Sequence, residues 1–194
     1  MKSSSRWPKR PTTWIADRVL YISVPFTWNM PGIRRLLRSS SYLWDNVVIG
    51  GPGVYLTLHY SPGFLDGIPC VKVGDSYPGV LQRVNPLATR TTTGCLFQCV
   101  FCGVGNGVIE PGGFRELPDW PDLPVITDNN LLAASEKHFD RVIDRLKLIG
   151  WADFEQGLDP RLLTDYHAGR SPRYQTPLFA WRWTPMTSAY GRYG

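Results

Sequence analysis

Cys95, Cys99 and Cys102 stand in the stretch Gly94-Cys95-Leu96-Phe97-Gln98-Cys99-Val100-Phe101-Cys102. Iron–sulfur clusters are held by cysteine thiolates, commonly four of them. A C-x3-C-x2-C triplet on one tight loop offers three, enough to hold a four-iron cube by three corners. The fourth iron is then open to a ligand the protein does not supply. Such a site suits chemistry as well as electron storage. Other uses of these thiols fit less well. Structural zinc sites pair C-x2–4-C knuckles, whereas here one compact triplet accompanies a solitary Cys70. An electron-carrying ferredoxin needs a further nearby cysteine, and none follows Cys102. The N-terminus has no secretory signal, so disulfides are not expected. Cys70 reads as a small buried hydrophobe.

The flanks sharpen the reading. Val84 to Thr93 is rich in β-branched residues, with Pro86 against it, and such residues favour strands. The cysteines are therefore expected just past a strand end, and Phe101 immediately precedes the last of them. In this the chain resembles the radical S-adenosylmethionine superfamily, whose C-x3-C-x-aromatic-C motif is matched by Cys95, Cys99, Phe101 and Cys102. The resemblance implies a [4Fe-4S] cluster with Cys95, Cys99 and Cys102 as its metal ligands. It implies S-adenosylmethionine chelated at the open iron, with Phe101 on the adenine side. An electron from the cluster would break a carbon–sulfur bond, and the resulting 5′-deoxyadenosyl radical would abstract hydrogen from a substrate. A flavodoxin or ferredoxin would supply the electron. In this division of labour the cofactor does the hard chemistry and the protein positions it. The three sulfurs are expected to converge on one point. The rival reading is a zinc-stabilised binding module with a basic face for RNA.

The elements that must position this loop follow from pattern. Arg18 to Val24 is a short apolar run, and Asn46 to Ile49 another; both read as buried strands. Between them Pro31 to Arg38 suits a short helix with Pro31 in its first turn. Strand, helix, strand makes a βαβ unit with a parallel pair, closed by the turn Gly50-Gly51-Pro52-Gly53. Tyr21 to Trp28 with Val48 to Gly53 resembles the second half of a cobalamin-binding Rossmann domain. The D-x-H-x-x-G motif of such domains does not occur around His59, His138 or His167. The segment reads equally as a Rossmann-like remnant that only packs. Val104 to Pro124, rich in Gly and Pro, is expected to be a long loop.

Pro124 to Thr127 reads as a strand. Ser135 is placed as an N-cap, Phe139, Val142, Ile143, Leu146 and Ile149 recur at helical spacing, and Gly150 is placed as a C-cap. His138 and His167 are expected on helix surfaces. Ala152 to Gln156 is a third strand, and Leu178 to Trp183 a fourth. Asp159-Pro160 is a helix-start pair, with Asp159 able to pair with Arg161. Alternating strands and helices imply a parallel sheet, and ligands bind at the carboxyl ends of such strands. That rule selects Asp128, Asn129, Asn130, Glu155 and Gln156. In the superfamily, groups after the second strand hold the methionine amine, which makes Asp128, Asn129 and Glu155 candidate cofactor-binding residues here.

The fold expected is α/β: a partial parallel (β/α) radical S-adenosylmethionine barrel, preceded by a small Rossmann-like βαβ segment. The boundaries are a basic disordered tail over 1–14, the Rossmann-like segment over 15–80 and the barrel portion over 81–194. About four βα units fit, too few to close a barrel, so a truncated copy of a longer enzyme is expected, with Trp181 and Trp183 on an open edge. The chain's 194 residues are 43% hydrophobic and 19% charged, with net charge +5. Basic residues cluster in Met1 to Arg10 and at Arg34, Arg35 and Arg38; both clusters read as solvated surface. No apolar run reaches the ~20 residues that span a bilayer, so no membrane partner is expected. The expected compartment is the cytoplasm, where a reduced cluster survives.

Overall fold

The computed structural model describes residues 7–74, 79–155 and 158–170. The described residues divide into two compact units, one within residues 7–88 and 94–114 and the other within residues 89–93 and 115–170. The segment carrying the cysteine triplet therefore belongs with the first unit, instead of following a single cut near residue 80. Gln156 and the strand expected at Leu178–Trp183 lie outside the described residues.

The first unit is a mixed sheet with helices packed on it. β1 (Thr12–Ala16) runs antiparallel to β2 (Val19–Ser23). Asp17 and Arg18 turn the chain between them at φ 48° and 58°. β1 starts inside the stretch expected to be tail, because Thr12 and Thr13 pair with Ser23 and Ile22. From β2 the chain enters α1 (Met30–Ser40), then β3 (Asn46–Gly50), α2 (Pro52–Tyr60) and β4 (Val71–Val73). β2, β3 and β4 are parallel, and the sheet order is β1-β2-β3-β4. α1 opens with Pro31 in its first turn, as the sequence indicates. Its Met30, Ile33 and Leu37 share a stripe by helical spacing, and all three are buried with Leu20, Ile22, Val24, Val47, Ile49 and Val54. Each such burial is worth about 2 kcal/mol.

The Gly-Gly-Pro-Gly turn has a packing explanation. Gly51 has φ 94°, and a Cβ there would lie 2.7 Å from the Val24 carbonyl oxygen. A Cβ on Gly53 would lie 2.6 Å from the Phe26 carbonyl oxygen. The glycines let the end of β3 pass against the chain leaving β2, and Pro52 then starts α2 directly. A last helix of this unit, α3 (Val80–Val84), follows the sheet.

The strand expected over Val84 to Thr93 is broken into pieces. Val84 closes α3, and the Asn85 side chain accepts the Leu87 amide at 3.1 Å in an Asx turn before Pro86 has finished its bend. Only β5 (Ala88–Thr89) and β6 (Thr92–Thr93) remain as strand. In the second unit β6 pairs antiparallel with β7 (Arg115–Glu116). β8 (Val125–Ile126) lies between β5 and β9 (Asp153–Phe154), and β8 and β9 are parallel. Between them runs α4 (Glu136–Ile149), and α5 (Asp165–Arg170) is the last element among the described residues. Among the described residues no barrel closes. The class is mixed α/β, with one small mixed sheet and a parallel one.

α4 follows its sequence signals closely. Ser135 Oγ accepts the His138 amide at 3.3 Å, and Gly150 ends the helix at φ 87°. Phe139, Val142, Ile143 and Leu146 are buried. His138 and His167 correct the surface assignment: they are 4% and 7% exposed. His138 lies four residues before Val142, on the same inward stripe. Asp159 does cap and pair as expected, accepting the Arg161 amide at 3.0 Å, but the element it starts is one 3-10 turn over Pro160–Leu162. No helix among the described residues is long and apolar enough to cross a membrane.

Candidate metal-binding loop

The loop that carries the triplet is closed by glycines and by its own backbone. Gly94 takes φ 70°, and its amide donates to the Glu110 carboxylate at 2.6 Å. A Cβ on Gly94 would lie 2.0 Å from the Gly113 carbonyl oxygen, so no other residue fits there. The Cys102 amide donates to the Cys99 carbonyl at 2.9 Å, and the Asn106 amide to the Cys102 carbonyl at 3.1 Å. Gly105 presses on the same loop: its Cβ would meet the Phe97 carbonyl oxygen at 2.6 Å and the Cys99 amide nitrogen at 2.9 Å. Gly103 seats the loop on α2, since a Cβ there would lie 3.2 Å from Leu56 Cδ2.

This closure sorts the side chains. Cys95, Phe97, Cys99 and Cys102 are half-buried, whereas Leu96, Gln98, Val100 and Phe101 are exposed. Phe101 is 69% exposed and Val100 89%. The Phe97 amide donates to Cys95 Sγ at 3.4 Å. All four cysteines are free thiols. Cys70 is exposed, not buried, and stands at φ 63° in a turn before β4.

The donor set fits a three-thiolate cluster site in chemistry: three free thiols, one spacing, one glycine-tightened loop, and an amide directed at one sulfur. Among the described residues, however, no group of three or more His, Cys, Asp or Glu is gathered to hold a metal ion. The three cysteines are each half-buried, and their sulfurs do not converge on one point, contrary to what the sequence led us to expect.

In the second unit the candidate cofactor residues have separate fates. Asp128 is 3% exposed, and its carboxylate is taken up by the backbone. It accepts the Thr91 amide at 2.6 Å, the Thr92 amide at 3.0 Å and the Thr91 hydroxyl at 2.5 Å. Burial pushes its pKa above the ordinary aspartate value, and these donors oppose the rise. Asn129 and Glu155 are half-buried. The Glu155 amide continues the parallel ladder, donating to the Ile126 carbonyl at 3.1 Å. Asn130 Oδ1 accepts the Asp159 amide at 3.3 Å.

Behind Asp128 runs a chain of polar contacts that sequence reading did not find. His138 Nε2 lies 3.1 Å from Thr91 Oγ1, and its Nδ1 lies 3.6 Å from Glu116 Oε2. Glu116 Oε1 accepts the Ser135 amide at 2.6 Å. Burial lowers the His138 pKa, which favours the neutral ring. On Glu116 burial acts upward, but the Ser135 donors, His138 and Arg141 outweigh it and hold the carboxyl below its usual range. The one sequence signal for this chain was the position of His138 on the apolar stripe of α4. No protein-family model matches the chain, and no curated protein or solved structure matches it either.

Proposed function

We propose that Cys95, Cys99 and Cys102 carry a [4Fe-4S] cluster in a radical S-adenosylmethionine enzyme. One observation carries this reading: the three thiols of the C-x3-C-x2-C triplet are free, and each is half-buried on one glycine-closed loop. A cluster bound there would supply an electron to S-adenosylmethionine at an open iron.

The chain's own residues would do the following. The three thiolates hold three corners, and the Phe97 amide at Cys95 Sγ tunes the sulfur by hydrogen bonding. The exposed ring of Phe101 offers an apolar face for an adenine. Gly94 and Gly105 keep the loop tight around the triplet. Asp128 holds the backbone at Thr91 and Thr92, and its carboxylate is occupied in doing so. The parallel pair β8–β9 with β5 beside it is compatible with the opening strands of a (β/α) barrel.

Anaerobic reconstitution with iron and sulfide, followed by addition of S-adenosylmethionine and a strong reductant, tests this. The reading requires about four irons per chain and release of 5′-deoxyadenosine. Zinc retention with no iron uptake supports the rival binding module instead.

A further inference from the structure

The positive charge of this chain is concentrated at one end. The first 44 residues hold eight Lys and Arg against a single acid, Asp17, which exceeds the whole chain's net charge of +5. Among the described residues of this segment are exposed aromatic rings. Trp28 is 70% exposed, and one face of its indole stacks on Phe26 at 4.2 Å and 9°. The stack fixes the ring while leaving its outer face open. An open hollow of about 380 Å³ lies beside it, lined by Pro11, Trp28, Pro31, Gly32 and Arg35. Lys9 and Arg10, next to Pro11, are exposed. Arg35 and Arg38, three residues apart on α1, are both exposed, and Tyr42, in the 3-10 turn just after the helix, is 72% exposed. The exposed rings of Trp28 and Tyr42 thus stand just before and just after the helix that carries the exposed Arg35 and Arg38.

We propose that this face binds a single-stranded nucleic acid. Strand binders combine a positive track for the phosphates with aromatic rings on which bases stack. Both parts are here, and the charge complements a polyanion. A membrane surface is disfavoured by the burial of Met30, Ile33 and Leu37: the apolar stripe of α1 faces its own core and cannot insert. The proposal does not depend on the cluster.

The test uses the full chain and a labelled RNA of about 12 nucleotides and mixed sequence, followed by anisotropy between about 50 and 200 mM salt. Three variants are compared: W28A, Y42A and the double variant R35Q/R38Q. All four side chains are exposed, and circular dichroism checks that each variant folds. Affinity should fall about tenfold in W28A with the salt slope unchanged. The slope of log K against log salt should fall by about 1.4 in R35Q/R38Q. Y42A gives a second, independent reading of stacking should W28A fail to fold. Wild-type affinity in the folded aromatic variants, or an unaltered salt slope in R35Q/R38Q, overturns the proposal. So does binding to anionic phospholipid vesicles in preference to the RNA.

Discussion

The Asp128 carboxylate takes both the amide of Thr91, at 2.6 Å, and its hydroxyl, at 2.5 Å, across 37 positions of the chain. With the Thr92 amide it holds three donors. The segment that leads to Gly94 is therefore pinned on the second unit's side by one acidic side chain. Asp128→Ala would leave the two buried amides of Thr91 and Thr92 without this acceptor and would remove one partner of the Thr91 hydroxyl. The expected loss is about 3 kcal/mol or more, because a buried donor left unmade costs about 1–3 kcal/mol. Asp128→Asn keeps an acceptor for the amides and should cost markedly less. Chemical denaturation of both variants measures this; equal stability of Asp128→Ala and wild type contradicts the clamp.

Loop closure predicts a different phenotype for two glycines. Gly94→Ala meets the Gly113 carbonyl oxygen at 2.0 Å with φ 70°, and Gly105→Ala meets the Phe97 carbonyl oxygen at 2.6 Å. Either methyl must push the loop open. Both variants should take up less iron than wild type on reconstitution. Gly107→Ala is the control, with φ 74° but nothing within 4 Å, so it carries backbone strain without a clash. Iron uptake at Gly105→Ala equal to wild type would show that closure is not needed.

His138 gives a pH signature. Its pKa is lowered from 6.5, first by burial and then by Arg141, while Glu116 and Asp128 act upward. The unfolded chain thus binds the proton at a higher pH than the folded one. The stability this group contributes is complete above 6.5 and is lost as pH falls towards the folded value. His138→Gln removes the titration and should flatten the fall of the unfolding midpoint between about pH 7.5 and pH 5. A variant whose midpoint falls as steeply as wild type would exclude His138 as the source.

Capping should be worth an ordinary amount. Ser135→Ala removes the acceptor of the His138 amide, which is expected to cost about 1 kcal/mol. Thermal unfolding reads it directly, and an unchanged midpoint would mean that Glu116, which holds the Ser135 amide at 2.6 Å, fixes the helix start alone.

These tests divide along what was legible in the sequence. Ser135, Gly150 and the Phe139–Leu146 stripe are local signals, and α4 matches them. The apolar runs of β2 and β3 were legible for the same reason. The Asp128 clamp was not, because nothing near Asp128 names a partner 37 residues away. Val84 to Thr93 misled because β-branched composition outweighed Asn85-Pro86, whose turn chemistry breaks the strand. Cys70 misled because burial is the usual fate of a lone cysteine, while here it is exposed, at φ 63° in the turn before β4. The triplet itself was fully legible in residue type and spacing; its loop closure depended on Gly94 meeting Gly113, a contact no spacing rule gives.

The cluster assignment is tested most directly by iron content after anaerobic reconstitution of wild type and of four single variants. Wild type and Cys70→Ala should each hold about four irons per chain, and Cys95→Ala, Cys99→Ala and Cys102→Ala should lose the cluster. Undiminished iron in any of the three triplet variants, or its loss in Cys70→Ala alone, would contradict the assignment.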